Sequence, residues 1–596
     1  MSERDDSPKP SLADRMRADW DDAHDFDPRD PLFGLSREAL SGPRLPRRTV
    51  LRLLAASGAL TAAHLVPNLG VRDARAQGKA GGELVAGWAG VGEMQTFDPA
   101  RINAVLLFQI SSNVLSGLMH IDADLVARGD LAETWTVSED GKEYVFKLRE
   151  GVLFHNGDKF TADDVVYTFK RSKDPDKSIH TSVLANVNDA VKVDDYTVKF
   201  VLGAPQASFL NKTLERSSGR AMTIVSRRAI EEMGDAQYGL MTVGTGPFRI
   251  TKHELGQGVV LEKFDAYYDP ERPKLDKITI KPIIDPEPLA AALEAGDIQL
   301  IGGNPVAPEL VDRFQSNPDL VVDIVPGPGF QSVWLNPHVE PFKVADFSKS
   351  FEELKKDKGF MVRLALAKGF DRERYIKQAQ FGRGIPAYGS INPAMGFFFD
   401  PTLGERSEQR YDLEGARKLL ADAGYPEGKG FPKLSIKCTP SARREVQVIK
   451  NIWKTNLGID IDLQTMDFPV MLEDWAKMDY QLLRVGSGGD YDPDDGLVDF
   501  MQTGSKFNGR RRDKATMAFG NFGDPEVDRL VDLQSTVTDP DKRKALVQEA
   551  NKLTSDKVAS VFLFHPVDVL VHHKRVNFPK ESRIPGLVDL DRTTIS

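Results

Sequence analysis

Cysteine is almost absent: the chain has 596 residues and one thiol, Cys438. A single thiol supports neither a disulfide framework nor a thiolate metal cluster, so Cys438 is expected as a buried or half-buried apolar side chain. It also leaves no lipid-anchor cysteine behind an export leader. Positive charge is in deficit, with 78 Lys and Arg against 88 Asp and Glu and a net charge of −10. That balance excludes general affinity for nucleic acid. No apolar run is long enough to span a bilayer. The motifs of several enzyme classes are missing too. There is no Gly-x-Ser-x-Gly elbow for a serine nucleophile and no Gly-Lys-Ser/Thr phosphate loop for ATP hydrolysis. His253-Glu254 lacks the second histidine of a zinc helix. His572 and His573 are neighbours on an expected strand, where they point to opposite faces and make a poor metal pair. No motif calls for a cofactor.

What is present starts with a leader. Met1 to Arg44 is polar and rich in Asp, Arg, Ser and Pro, too poor in apolar periodicity for a core, and reads as disordered. Arg47 and Arg48 precede an uncharged apolar core, Leu53 to Ala63, and Ala74-Arg75-Ala76 places small residues where signal peptidase reads them. This is the pattern of a twin-arginine signal cleaved after Ala76. It predicts export by the twin-arginine machinery and a soluble mature protein in the periplasm.

The most regular part of the mature chain is Leu131 to Arg171. Trp135, Val137, Tyr144, Phe146 and Leu148 alternate with polar residues, the period of half-buried strands. Glu139 to Lys142 and Asn156-Gly157 break the runs with turn chemistry. Thr161 and Asp164 have the spacing of a capping box, and Val165, Val166 and Phe169 form the apolar face of the helix that follows. His155 and Asp163 read as a turn residue and a helix-start acid. Further strands are expected at Glu83–Trp88, Tyr196–Leu202, from Leu261 and from Lys274, and at Val558–Phe564. Helices are expected at Leu289 onward, in Phe360–Phe381 with a break at Gly369 and Asp371, at Tyr411–Gly424, Glu445–Gly458 and Asp524–Lys557. The alternation predicts a mixed α/β class.

The order Leu-Ala-Glu-x-Trp, Asp-Gly, Tyr-x-Phe-x-Leu-Arg-x-Gly-Val-x-Phe-His-x-Gly-x-x-Phe-Thr-Ala-x-Asp-Val-Val-Tyr within 131–167 resembles the signature of the dipeptide- and oligopeptide-type extracellular solute-binding proteins, family 5, of ABC importers. Phe97-Asp98-Pro99, Thr245-Gly246-Pro247-Phe248 and Ala423-Gly424-Tyr425-Pro426 continue the likeness over about 83–590. The resemblance implies a two-lobed periplasmic-binding-protein clamp (type II, cluster C) with a discontinuous first lobe and an extra small domain. The expected divisions are 1–76 extension and signal, 77–116 lobe I, 117–244 extra domain, 245–335 lobe I, 336–561 lobe II and 562–596 lobe I again.

The acidic run Asp490 to Gly496 is a poor calcium loop. Pro493 lies inside it, Asp495 stands where glycine is needed, and Met501 replaces the bidentate glutamate. By resemblance the stretch 480–493 is instead the ligand strand and loop, near 484–499. Asp490, with Gly489 before it and Asp492-Pro493 after, matches the carboxylate that pairs with a ligand ammonium; a solvated acidic turn is the alternative. A carboxylate in a closed, low-dielectric cleft gains most from such a partner. Arg484 matches an arginine used on a ligand carboxylate, or makes a structural salt bridge. Phe468 matches a pocket-wall aromatic, or is a core residue. Gly488 allows close backbone approach. Asn103 and Val105 match a segment offering strand-like backbone contacts. Ser487 stands where peptide binders carry an aromatic, which predicts a wider or more polar pocket.

These features imply a binder without a catalytic step, monomeric, that hands a short peptide or amino-acid-derived solute to an ABC permease and its ATPase subunits. Opines, glycosides, nickel chelates and haem are alternative ligands. A secreted hydrolase using Asp490, Asp492 and Asp494, and a chaperone-like peptide binder, are alternative functions.

Overall fold

The structure is a computed structural model and describes residues 81–596 except 91, 103, 124, 217–220, 304–305, 490, 506 and 509–519. The expected leader, with Arg47, Arg48 and Ala76, lies outside the described residues. The described part belongs to one compact unit, Gly78–Ser596.

The strands that carry the architecture are, in chain order, β1 Glu83–Ala89, β2 Met119–Ile121, β3 Ala127–Gly129, β4 Ala132–Val137, β5 Glu143–Leu148, β6 Val187–Asp194, β7 Thr197–Leu202, β8 Phe248–Glu254, β9 Gly258–Lys263, β10 Lys277–Pro282, β11 Leu300–Gly303, β12 Leu320–Pro326, β13 Phe330–Leu335, β14 Ile385–Pro386, β15 Leu434–Cys438, β16 Ile461–Thr465, β17 Leu482–Ser487, β18 Val561–His565 and β19 Val567–His573. They form a seven-stranded sheet in the order β12-β19-β11-β1-β10-β9-β8 and a six-stranded sheet in the order β14-β18-β13-β17-β15-β16. A four-stranded sheet, β4-β5-β7-β6, and the β2–β3 pair stand apart from both.

The seven-stranded sheet is built around β1, which runs parallel to β10 on one side and β11 on the other. A strand covered on both faces reads as a near-continuous apolar run, and Leu84, Ala86 and Trp88 are fully buried. The chain enters the six-stranded sheet between β12 and β13 through Gly327-Pro328-Gly329. It returns between β18 and β19 through Pro566. Both crossings lie near the divisions expected at 335/336 and 561/562 but not on them: β13 and β18 are hydrogen-bonded within the six-stranded sheet. Their apolar runs do not reveal which sheet they join, because either would bury them equally well.

The four-stranded unit within 117–244 has its own core. Phe146 meets Phe200 edge-on with ring centroids 5.9 Å apart, and Phe200 meets Phe209 at 5.7 Å. Aromatic pairs at such separations add to the burial of their surface. The helix Ala162–Lys173 closes one face, and its capping box of Thr161 and Asp164 is formed as the spacing predicts. His155 ties the unit to the Gly244–Pro247 turn: its Nε2 lies 3.0 Å from the Gly246 carbonyl oxygen, and burial holds its pKa down at about 4. The ring is therefore neutral at physiological pH.

Helix boundaries follow their caps. Gly296 and Gly458 adopt the left-handed conformation just past the helices Pro286–Ala295 and Arg443–Leu457, where a residue without a Cβ is favoured. Asp371 caps the helix Arg372–Ala379 by accepting from the Arg374 amide. Cys438 is buried in β15.

Phe146→Ala removes the ring shared by Tyr144, Trp135 and Phe200, so it should destabilise the four-stranded unit by ~3–5 kcal/mol. The expected readout is a lower urea midpoint for that unit; a shift worth less than ~1 kcal/mol would show that its core does not rest on this ring.

Candidate functional site

Strand direction fixes where a ligand meets the chain. β15, β16 and β17 are parallel and end at one edge of the six-stranded sheet. β18 ends there too, since β13 is antiparallel to both β17 and β18. In the other sheet β1, β10 and β11 end together, and β12 joins them because it and β11 are both antiparallel to β19. The crossings at 327–329 and 566 connect these two edges. In open α/β sheets the carboxyl ends of the strands are where ligands bind, because loops and strand-end side chains converge there.

The loop after β17 presses onto the first crossing. A Cβ on Gly486 would lie 2.0 Å from the Phe330 carbonyl oxygen, and one on Gly489 would lie 1.9 Å from that of Pro328. Gly489 also has φ +88°, which disfavours any side chain. At Gly488 an added Cβ would meet nothing within 4 Å, so this residue borders open space. Ser487 turns inward. Its hydroxyl donates to Asp495 Oδ2 at 2.5 Å and accepts from the Gly489 amide at 2.8 Å. The residue at the expected aromatic position thus staples the loop and does not line the cleft.

Arg484 is also turned away from the cleft. It is buried, its Nε lies 3.0 Å from Glu445 Oε2, and its Nη1 donates to Gln331 Oε1 at 2.6 Å. The Tyr375 hydroxyl donates to the same Glu445 oxygen at 3.0 Å. Burial works against the guanidinium charge, but Glu445 outweighs it and raises the Arg484 pKa. The structural salt bridge describes its role here; its charge is already neutralised. The acidic run is engaged likewise. Arg543 holds Asp492 through two bonds of 2.8 and 2.5 Å, and Gln534 donates to Asp494 at 2.6 Å. These carboxylates brace the loop from behind.

Phe468 is the first residue of the helix Phe468–Lys477, immediately after β16. It is 51% exposed at the cleft edge of the sheet, so it is not a core residue. Val105 opens the helix Val105–Ser111. The strand-like register expected there therefore does not extend past Ala104, which is still extended. Asn103 and Asp490 lie outside the described residues. The neighbours of Asp490 both meet the crossing: Gly489 lies under Pro328, and the Tyr491 hydroxyl lies 3.5 Å from the Cβ position of Gly586, beside Pro328.

Reading the sequence alone missed a cluster at the crossings. Asp568, in β19, accepts from the Gly586 amide at 2.5 Å, and its Oδ1 lies 3.1 Å from the Cβ position of Gly327. No basic side chain pairs with it among the described residues. Burial lifts its pKa to about 6, opposed only by the Gly586 hydrogen bond. Gln109 donates to the Gly586 carbonyl at 2.9 Å, and Asn392 donates to the Pro328 carbonyl at 2.6 Å. The one visible signal was a lone carboxylate inside the apolar run Val567-Asp568-Val569-Leu570-Val571.

Comparison with known proteins bears on what this cleft holds. The sequence profile of the bacterial extracellular solute-binding proteins, family 5 (middle), matches residues 127–509. The glutathione-binding protein GsiB of Shigella flexneri serotype 5b is 30% identical over 373 residues, 62% of this chain and 68% of that protein. The oligopeptide-binding protein OppA of Bacillus subtilis is 27% identical over 499 residues, 80% of this chain and 87% of that protein. The Helicobacter pylori periplasmic binding protein DppA, solved with the peptide STSA, superposes with a TM-score of 0.66 at 23% identity, covering 87% of this chain and 98% of that one. That last likeness establishes the two-lobed fold.

Two outcomes follow. Glu445→Gln leaves Arg484 buried without a counter-charge and should destabilise by ~3–5 kcal/mol, whereas Glu445→Leu with Arg484→Met should recover most of the loss; equal destabilisation by both would contradict the pairing. Asp568 binds its proton more tightly folded than unfolded, so its contribution to stability is present below pH ~4 and is lost as pH rises through about 6. Asp568→Asn should therefore melt like the parent near pH 4 and above it at pH 7.5, by up to ~3 kcal/mol.

Proposed function

The chain belongs to the bacterial extracellular solute-binding proteins of family 5, and from that premise we propose that it captures a short peptide or amino-acid-derived solute in the periplasm for an ABC importer. It performs no catalytic step. The solute is enclosed between the two sheets by bending at Gly327–Gly329 and Pro566, and the closed form docks on a membrane permease whose ATPase subunits supply the energy. The protein acts as a monomer and reaches the periplasm through the twin-arginine signal at Arg47 and Arg48, cleaved after Ala76.

The observation that carries this reading is the pair of carboxyl strand edges joined by two short crossings, with Gly486 and Gly489 packed on the first of them. Contacts across the cleft support it. Arg383 reaches from the six-stranded side to Asp312 and to the Pro308 carbonyl at 3.1 Å, and Arg444 lies 3.7 Å from Glu309. Away from the crossings, Ala207 of the four-stranded unit donates its amide to Ser535 at 2.7 Å, and Lys212 lies 3.3 Å from Asp499. Solvent-accessible pairs of this kind contribute ~0–1 kcal/mol each. They steer closure without locking it, which leaves the ligand to decide the balance.

Asp490 is the residue proposed to meet the ligand ammonium, with Gly488 leaving room beside it and Phe468 at the rim. Arg484, neutralised by Glu445, offers no charge to a ligand carboxylate. That favours a second reading within the same function, a solute that is not a peptide with a free carboxyl end.

Asp490→Ala should weaken binding by at least ~2 kcal/mol, roughly thirty-fold. The measurement is calorimetry with the solute identified by mass spectrometry of the purified protein. Unchanged affinity would remove Asp490 from the site. The same solute should raise the melting temperature in proportion to its concentration over Kd and make the protein more compact in X-ray scattering; binding without compaction would rule out closure.

A further inference from the structure

The seven-stranded sheet carries an apolar cavity at its carboxyl edge. The chain runs from β10 through the helix Pro286–Ala295 to β11, then through the helix Pro308–Ser316 to β12. Both helices therefore start at the edge where β1, β10 and β11 end. Between their first turns and the ends of β1 and β11 lies a cavity of about 170 Å³. No side chain that lines it carries a polar atom. Its base is Leu289, Ile301, Leu310 and Phe314, all buried. Its rim holds Ile284, which is 62% exposed although it is a large aliphatic residue. Gly90 and Ala307 contribute little or no side chain to fill the space. Apolar side chains around a void lack partners on one side, so a hydrocarbon group from outside restores contacts that the fold leaves unmade.

The cavity also adjoins the contact between the two sheets. Pro308, next to Ala307, accepts from Arg383 of the six-stranded side at 3.1 Å, and Glu309, next to Leu310, lies 3.7 Å from Arg444. The wall formed by Ala307 and Leu310 thus belongs to the segment on which the opposite side closes.

We propose that this cavity is a side-chain subsite of the cleft, and that the captured solute carries a branched hydrocarbon group of about leucine size that fills it. The inference rests on the solute-capture reading and deepens it, from an ammonium alone to an ammonium with an apolar side chain. An apolar cavity of roughly 150 Å³ accepts benzene, so the space suits a group of that bulk. A hydroxyl, amide or charged group would give up its water there and meet no polar side chain. Ile284 is the residue that sets the preference, because a filled cavity takes its exposed surface out of water.

The experiment compares leucyl-leucinamide, alanyl-alaninamide and glutaminyl-glutaminamide by calorimetry on the purified protein. All three keep the ammonium and lack a free carboxyl end, and glutamine has nearly the bulk of leucine with a polar tip. The leucyl probe should bind about ten-fold or more tightly than either of the others. Ile284→Asn places an amide at the rim. The residue is exposed, so the variant should melt as the parent does while its preference for the leucyl over the alanyl probe falls to less than about two-fold. Ala307→Leu, an independent variant that fills the cavity from its own wall, should lower the same preference and leave alanyl-alaninamide binding unchanged, an outcome that damage to the fold would not give. Any solute retained by the protein, identified by mass spectrometry, should bind both variants more weakly than the parent. The proposal is overturned if the parent binds all three probes alike, if neither variant lowers the preference, or if a retained solute binds both variants as it binds the parent. In each case solute capture itself stands. Absence of any retained solute together with no response to any probe would defeat both.

Discussion

Backbone packed directly against backbone is the constraint on which the cleft depends. Gly486 and Gly489 lie where any Cβ would enter the carbonyls of Phe330 and Pro328, and Gly329 lies where a Cβ would be 2.4 Å from the Ser487 carbonyl. The loop after β17 and the first crossing are therefore one surface. A movement of the sheets about Gly327–Gly329 is transmitted to the loop without slack, because no side chain stands between them to absorb it. The crossing and the loop are mechanically coupled for that reason, and the coupling needs no long pathway.

Around that contact the polar groups fall into two kinds. Arg484 with Glu445, and Arg543 with Asp492, are buried pairs with multiple bonds to each carboxylate. Such pairs add little net stability over apolar residues of the same volume, yet losing one partner is severe. Here they hold β17 and the following loop rigid behind the cleft. Asp568 and the amide oxygens of Gln109 and Asn392 are the other kind: among the described residues they meet no donor beyond the Gly586 amide on Asp568.

Much of the architecture was legible from local pattern. The alternation from Trp135 to Leu148, the capping box at Thr161 and Asp164, the break at Gly369 and Asp371, and the glycine stop at 458 all fall where the sequence placed them. Each depends on residues within a few positions of one another, and short-range physics is enough to decide them. The close approach of Gly486 and Gly489 to the first crossing was not legible, because it depends on Phe330 and Pro328 far away in the chain. The sheet crossings were placed only approximately, since an apolar strand does not state which sheet it will join.

The sequence by itself determined the family, the mixed α/β class and the caps. Tertiary structure alone decided which of the polar residues near 484–495 are engaged by the protein's own side chains. Glu445 reaches Arg484 from another helix, Arg543 reaches Asp492 from another, and Ser487 folds back on Asp495. The surroundings of Asp568 were invisible in the sequence because its neighbours Gly327 and Gly586 come from distant segments. Local pattern reports secondary structure because hydrogen bonds within helices and turns are local. Whether a charge is neutralised or left waiting is set by partners hundreds of residues away, and only the fold brings them together.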